Sequence, residues 1–114
     1  MRYGNTNKYG AVKTVIDGIT FDSRHEAERW CELRLMERGG LISELKRQVK
    51  VELVPKTDKY REVSYVADFV YRDKKTGQVV YEDAKGCKQG AAYELFKVKK
   101  KLMYWRWGKD IAEV

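Results

Sequence analysis

Apolar and polar residues alternate over several short stretches of this chain and recur at helical spacing over two longer ones. "KTVIDGITF" sets β-branched residues on both sides of Asp17-Gly18, a two-residue signal for a tight hairpin. "DSRHEAERWCELRLMERGG" is the clearest helix. Ser23 suits the N-cap, Glu26 completes a capping-box pattern, and Gly39-Gly40 stop the helix. Ala27, Trp30, Cys31, Leu33 and Leu35 are its expected apolar side. "LKRQVKVELV" alternates through Val49, Val51 and Leu53 and predicts a strand that ends near Pro55, with "TDKYRE" as the following turn.

Two more strands follow, "VSYVADFVYRD" and "QVVYEDAKG", joined by the turn "KKTG". After a loop bracketed by Gly86 and Gly90, helical spacing returns over 91–107, with Leu95, Val98, Leu102 and Trp105 as the expected buried stripe. "DIAEV" predicts a final edge strand. The order is hairpin, helix, three strands, helix, strand. It predicts an α/β fold, a mixed central β-sheet with flanking helices.

A length of 114 residues fits one domain with one modest core, and the polar, Gly/Asn-rich residues 1–11 read as a flexible basic arm that includes Arg2 and Lys8. No apolar run approaches the roughly 20 residues that span a bilayer, and "MRYGNTNKYG" has no signal-peptide core. The expectation is a cytoplasmic protein that meets no membrane. Two cysteines and one histidine cannot furnish a zinc site, so a metal would sit on oxygen, which favours Mg²⁺, Mn²⁺ or Ca²⁺. Twenty-four basic against 17 acidic residues give a net charge of +7 and point to a polyanionic partner.

The central strands carry charges that packing alone does not ask for. Asp83 and Lys85, two apart, share a face if the strand is regular, with about 7 Å between their Cα atoms. If "KKTG" closes a hairpin, Asp68 can approach Asp83 across it, although the sequence leaves the register open. Two converging carboxylates repel unless a cation lies between them, and a hard divalent ion meets that need. Lys85 could stabilise a phosphate or act on a water. These parts suit phosphodiester hydrolysis.

Asp68 in "ADF", followed by Asp83-Ala84-Lys85 in "YEDAKG", resembles the PD-(D/E)XK nuclease superfamily, and the element order resembles its restriction-endonuclease-like αβββαβ core, here preceded by a hairpin. More closely, the stretch from about Asp17 to Gly108 is similar to short, mostly phage-encoded proteins near Holliday-junction-resolvase-like and very-short-patch-repair-like nucleases. Ala67 stands where the superfamily name has Pro. The resemblance implies a Mg²⁺- or Mn²⁺-dependent DNA endonuclease, acting on branched or junction DNA in phage DNA metabolism inside a bacterial host. It implies Asp68 and Asp83 as metal ligands, Lys85 as catalytic amine, and Glu26 on the first helix as a third acidic ligand. It also places Gln48 beside the site.

Each of these residues has a plainer reading. Asp68 and Asp83 could be solvated strand-end charges, Lys85 a surface salt bridge to Asp83, and Glu26 only the partner of Ser23 in the cap. Glu82, on the face opposite Asp83, is expected to be solvated or paired with a helix lysine. His25 is expected on the surface, Cys31 in the core, and Cys87 as an unpaired loop thiol. Lys88, Lys97, Lys100 and Lys101, with Lys99, are either a solvated face or contacts to phosphate. Trp30, Trp105 and Trp107 are expected in the core or against the sheet, with base stacking left open for Trp107. A non-catalytic DNA-binding module of the same fold is the alternative function. A homodimer suits a two-fold junction substrate, and "DIAEV" offers an edge for one.

Overall fold

The computed structural model describes residues 13–114. The expected basic arm, with Arg2 and Lys8, lies outside the described residues. The chain begins with a hairpin of β1 (Thr14–Ile16) and β2 (Ile19–Phe21). Asp17 and Gly18 turn it with φ of 51° and 79°, the two positive values that a hairpin matching strand twist requires. Helix α1 (Arg24–Arg38) starts where the Ser23 hydroxyl accepts the Glu26 N–H at 3.1 Å.

Strands β3 (Ile42–Val54), β4 (Val63–Asp73), β5 (Val79–Asp83) and β6 (Ile111–Glu113) form one sheet in that order. The first three are antiparallel, and β6 joins the edge of β5 in parallel after α2 (Ala91–Trp107). The fold is the mixed α/β arrangement expected, helix–three strands–helix–strand behind a hairpin. Strand β3 starts at Ile42, earlier than the alternation suggested, because Glu44 at φ 57° lets the chain pass a register shift between Ser43 and Lys46.

The helices cover opposite faces. Ala27, Trp30 and Leu33 of α1 pack with Phe21, Ile42, Phe69 and Tyr71, while Phe96 and Met103 of α2 pack with Leu53, Tyr65, Ala67, Val70 and Ile111. Cys31 and Leu35, expected in the core, are exposed. At about 100° per residue Leu35 falls on the side of α1 opposite Glu26, which is buried.

The expected buried stripe of α2 is also corrected. Leu95, Val98 and Trp105 face outward, and Phe96 and Met103 face the sheet. Polar anchors fix that rotation. The Tyr93 hydroxyl and Lys100 ammonium donate to Glu113 at 2.8 and 3.0 Å, and the Trp107 indole donates to the Glu52 carbonyl at 2.7 Å. Arg106 adds an ion pair with Glu52 at 2.8 Å.

Candidate functional site

Along β4, Tyr65 and Ala67 pack under α2, whereas Phe69 and Tyr71 pack under α1. A regular pleat would keep these four on one face. Strand β3 does the same, since Leu45 packs under α1 and Val49 and Val51 under α2. The change of face falls on Asp68 and on Gln48, which is bracketed by the register pairs Arg47–Phe69 and Val49–Ala67. Gln48 has φ 51°, a left-handed backbone that costs a non-glycine residue about 1–2 kcal/mol. Its amide reaches the Asp68 carboxylate at 3.4 Å. Asp68 therefore sits at the seam between the two cores.

On its other side β4 pairs with β5 from Arg72–Val79 to Phe69–Glu82. One step further the ladder opens. The Ala84 N–H, beyond the end of β5, donates to Asp68 Oδ2 at 2.9 Å instead of to a strand carbonyl. Asp68 and Asp83 then stand across from each other, one step beyond the Phe69–Glu82 pair. Burial pushes the Asp68 carboxyl up to about 8, and the hydrogen bond and charge of Asp83 push the same way, against the Ala84 N–H.

Lys85 Nζ lies 2.6 Å from Asp83 Oδ2 and 3.8 Å from the centroid of the Phe96 ring. The ammonium is thus a counter-ion to Asp83 and is held over an aromatic face. Strand β5 ends at Asp83, yet Lys85 still turns to the same side because its N–H donates to the Val114 carbonyl at 3.0 Å.

Glu26 is buried near this pair. Its backbone serves the cap, while its carboxylate lies 3.7 Å from Arg47 Nη2. Burial raises the Glu26 carboxyl above its ordinary value, and the charges of Asp22 and Asp83 add to the rise against Arg47. Arg47 also stacks over Phe21 at 4.4 Å from the ring centroid. Tyr65 completes the wall. Its hydroxyl is buried without a hydrogen-bond partner among the described residues, and burial with the charges of Asp83 and Asp68 pushes the phenol well up.

Glu82 departs from its expected role. It is 1% exposed, on the α1 side of β5, where Arg29 of α1 donates to both its oxygens at 2.8 and 2.6 Å and Tyr71 adds its hydroxyl. Its partner is a helix arginine, and the pair ties α1 to the central sheet. His25 is exposed as expected, with Nε2 2.7 Å from the Val114 carbonyl. Cys87 is a free, exposed thiol. Trp30 is in the core, but Trp105 is 77% exposed and Trp107 is exposed.

Of the basic residues expected at nucleic acid, Lys97 pairs with Glu94 at 2.8 Å and Lys100 with Glu113. Lys88 and Lys101 are exposed. Arg47, Arg29 and Tyr65 were not foreseen. Nothing in the local pattern marks them, since Arg29 and Arg47 find their partners on distant elements and the Tyr65 hydroxyl is enclosed only by the fold.

Residues 6–111 match the sequence model of a family described as a protein of unknown function, DUF1064. The chain belongs to the DUF1064 family. No curated protein and no solved structure matches it. In this DUF1064 member, among the described residues, no three or more His, Cys, Asp or Glu side chains are gathered as a ready-made metal cage. Asp68 and Asp83 nevertheless supply converging oxygen donors whose repulsion a hard cation relieves. Mg²⁺ is commonly held by one or two carboxylates and completed by waters and substrate phosphates, so the pair fits it. Glu26, drawn toward Arg47, stands behind that pair.

Proposed function

We propose that the protein is a Mg²⁺- or Mn²⁺-dependent DNA endonuclease whose site is built on Asp68, Asp83 and Lys85. The observation that supports it is the cross-strand placement of a half-buried Asp68 and a buried Asp83, with an ammonium 2.6 Å from Asp83. A bound divalent ion supplies phosphoryl polarisation and a water acidic enough to attack at neutral pH.

The chain's own residues do the rest. Asp68 and Asp83 would hold the ion, in place of the proton that burial and the neighbouring Asp83 otherwise favour on Asp68. Lys85 moves its charge from Asp83 to the scissile phosphate or the attacking water, steered by the Phe96 ring. The Ala84 N–H and the Gln48 amide fix the Asp68 carboxylate, and Glu26 adds negative potential behind it. The net charge of +7 favours a polyanionic substrate.

The non-catalytic DNA-binding reading draws on a specific observation too. Lys85 already neutralises Asp83, and no third ligand joins the pair among the described residues. The test is incubation of the purified protein with end-labelled linear, nicked and branched DNA in Mg²⁺, with EDTA as control. Cleavage that needs the ion supports the nuclease. DNA retention in EDTA with no cleavage of any substrate supports the binding module.

A further inference from the structure

We propose that the groove beside the C-terminal half of α2 binds an unpaired nucleotide strand next to the carboxylate site. The inference rests on the nuclease reading for the class of its ligand. The groove has a volume of about 730 Å³; Lys97, Lys101, Tyr104 and Trp105 line it, as do Asp110 and Glu113.

Trp105 is the starting point. A tryptophan with most of its surface in water is unusual, and Tyr104 beside it is also exposed. The anchors on Glu113 and Glu52 prevent α2 from rotating to bury either ring. Lys97 and Lys101 are four residues apart and so lie one turn above the other on this side of the helix, and Trp105 continues the row at the next turn. Cations for phosphates followed by open aromatic faces for bases make up the usual equipment of single-strand binding, which tolerates any sequence because every base has a π face.

The carboxylates do not cancel that charge. Glu113 accepts from Lys100 at 3.0 Å, and Asp110 lies 3.7 Å from the same ammonium. Lys101 carries no ion pair among the described residues. Its neighbour in the row, Lys97, lies 5.4 Å from the centroid of the Tyr93 ring and pairs with Glu94 in an exposed ion pair of the kind that a phosphate can replace.

The groove is continuous with the site. Glu113 is the register partner of Asp83 on the adjoining parallel strand, about 4.8 Å away in the sheet. Tyr93 stacks on Phe96 with centroids 6.0 Å apart, and Phe96 carries the Lys85 ammonium on its face. A strand leaving the scissile position has an aromatic and lysine-lined path outward. A second copy of the chain is the rival occupant, through Leu95, Val98 and Trp105. It would press this lysine-bearing face against its own like charges.

The experiment is fluorescence anisotropy of a short labelled oligothymidylate in EDTA, where nothing is cut, with an oligouridylate arm to separate DNA from RNA. Trp105→Ala is expected to weaken binding of the unpaired strand about ten-fold, with Trp105→Phe close to wild type and a blunt duplex unaffected. Lys101→Glu should lower affinity for the same probe. Binding of either oligonucleotide that depends on Trp105 supports the groove. Equal affinity in wild type and Trp105→Ala overturns it. So does a Trp105→Ala defect that proves, by sedimentation, to be conversion of a dimer to a monomer. If Trp105-dependent binding persists but Mg²⁺ produces no cleavage, only the nuclease reading falls.

Discussion

Asp68 on β4 and Asp83 on β5 stand opposite one another one step past the last paired residues of their strands, Phe69 and Glu82. At that step the ladder gives up a backbone hydrogen bond, and the Ala84 N–H goes to the Asp68 carboxylate instead. Two acids are thereby set face to face at the seam between two hydrophobic clusters. Such a pair is costly unless a proton or a cation is shared between its members.

The first consequence concerns pH. The Asp68 carboxyl is raised from its ordinary 3.8 to about 8, so between those values the folded protein keeps a proton that the unfolded chain has lost. Stability from this group is complete below about pH 4 and is lost as pH rises toward 8. The metal-free protein should show a melting temperature that falls over this window, and Asp68→Asn should flatten the fall. Mg²⁺ or Mn²⁺, by replacing the proton, should stabilise the protein most at the alkaline end.

Lys85 would compete with a metal ion for Asp83 on the proposed reading, since its ammonium is 2.6 Å from the carboxylate. Lys85→Met should therefore leave Mn²⁺ affinity undiminished while lowering the cleavage rate on the order of a hundred-fold, the scale of a lost proton-transfer or charge-stabilising group. Parallel metal titration and cleavage kinetics separate the two effects.

Glu82→Ala should destabilise the fold by about 3–5 kcal/mol, because it leaves a partly buried Arg29 and the Tyr71 hydroxyl without their acceptor. The midpoint of urea unfolding should fall with an unchanged slope. Replacing both members, as Arg29→Met with Glu82→Leu, should recover much of that loss, which a double-mutant cycle reads directly.

At Gln48 the backbone has φ 51°. Gln48→Gly should be close to neutral, since relief of strain offsets greater freedom in the unfolded chain and a weak hydrogen bond to Asp68. Gln48→Val should cost about 2 kcal/mol, because a β-branched side chain tolerates that conformation worst. Denaturation of the two variants side by side is the measurement.

These residues also show where the sequence is legible. Strand β4 spans the eleven residues from Val63 to Asp73, as its flanking turns indicate, and Asp17-Gly18 announces its hairpin chemically. The pairing of Asp68 with Asp83 follows once the turn through Gly77, at φ 75°, fixes the register. The rotation of α2 is different. Leu95, Val98, Leu102 and Trp105 form its most apolar row, yet of these Leu102 alone packs against the core, and anchors from Glu52 and Glu113 turn Phe96 and Met103 inward. Arg29 and Glu82 are 53 residues apart, so local pattern says nothing of their ion pair. The seam at Gln48 leaves no mark either, since a glutamine at positive φ cannot be read from alternation.

The central claim is that Asp68 and Asp83 jointly hold a hard cation, and calorimetric titration of Mn²⁺ into the protein near pH 7 tests it most directly. In buffers of different ionisation enthalpy, the wild type should bind one ion and release about one proton, the one held by the carboxyl pair, and Asp83→Asn should bind none. Absence of binding by the wild type, or binding that Asp83→Asn leaves unchanged, would contradict the account.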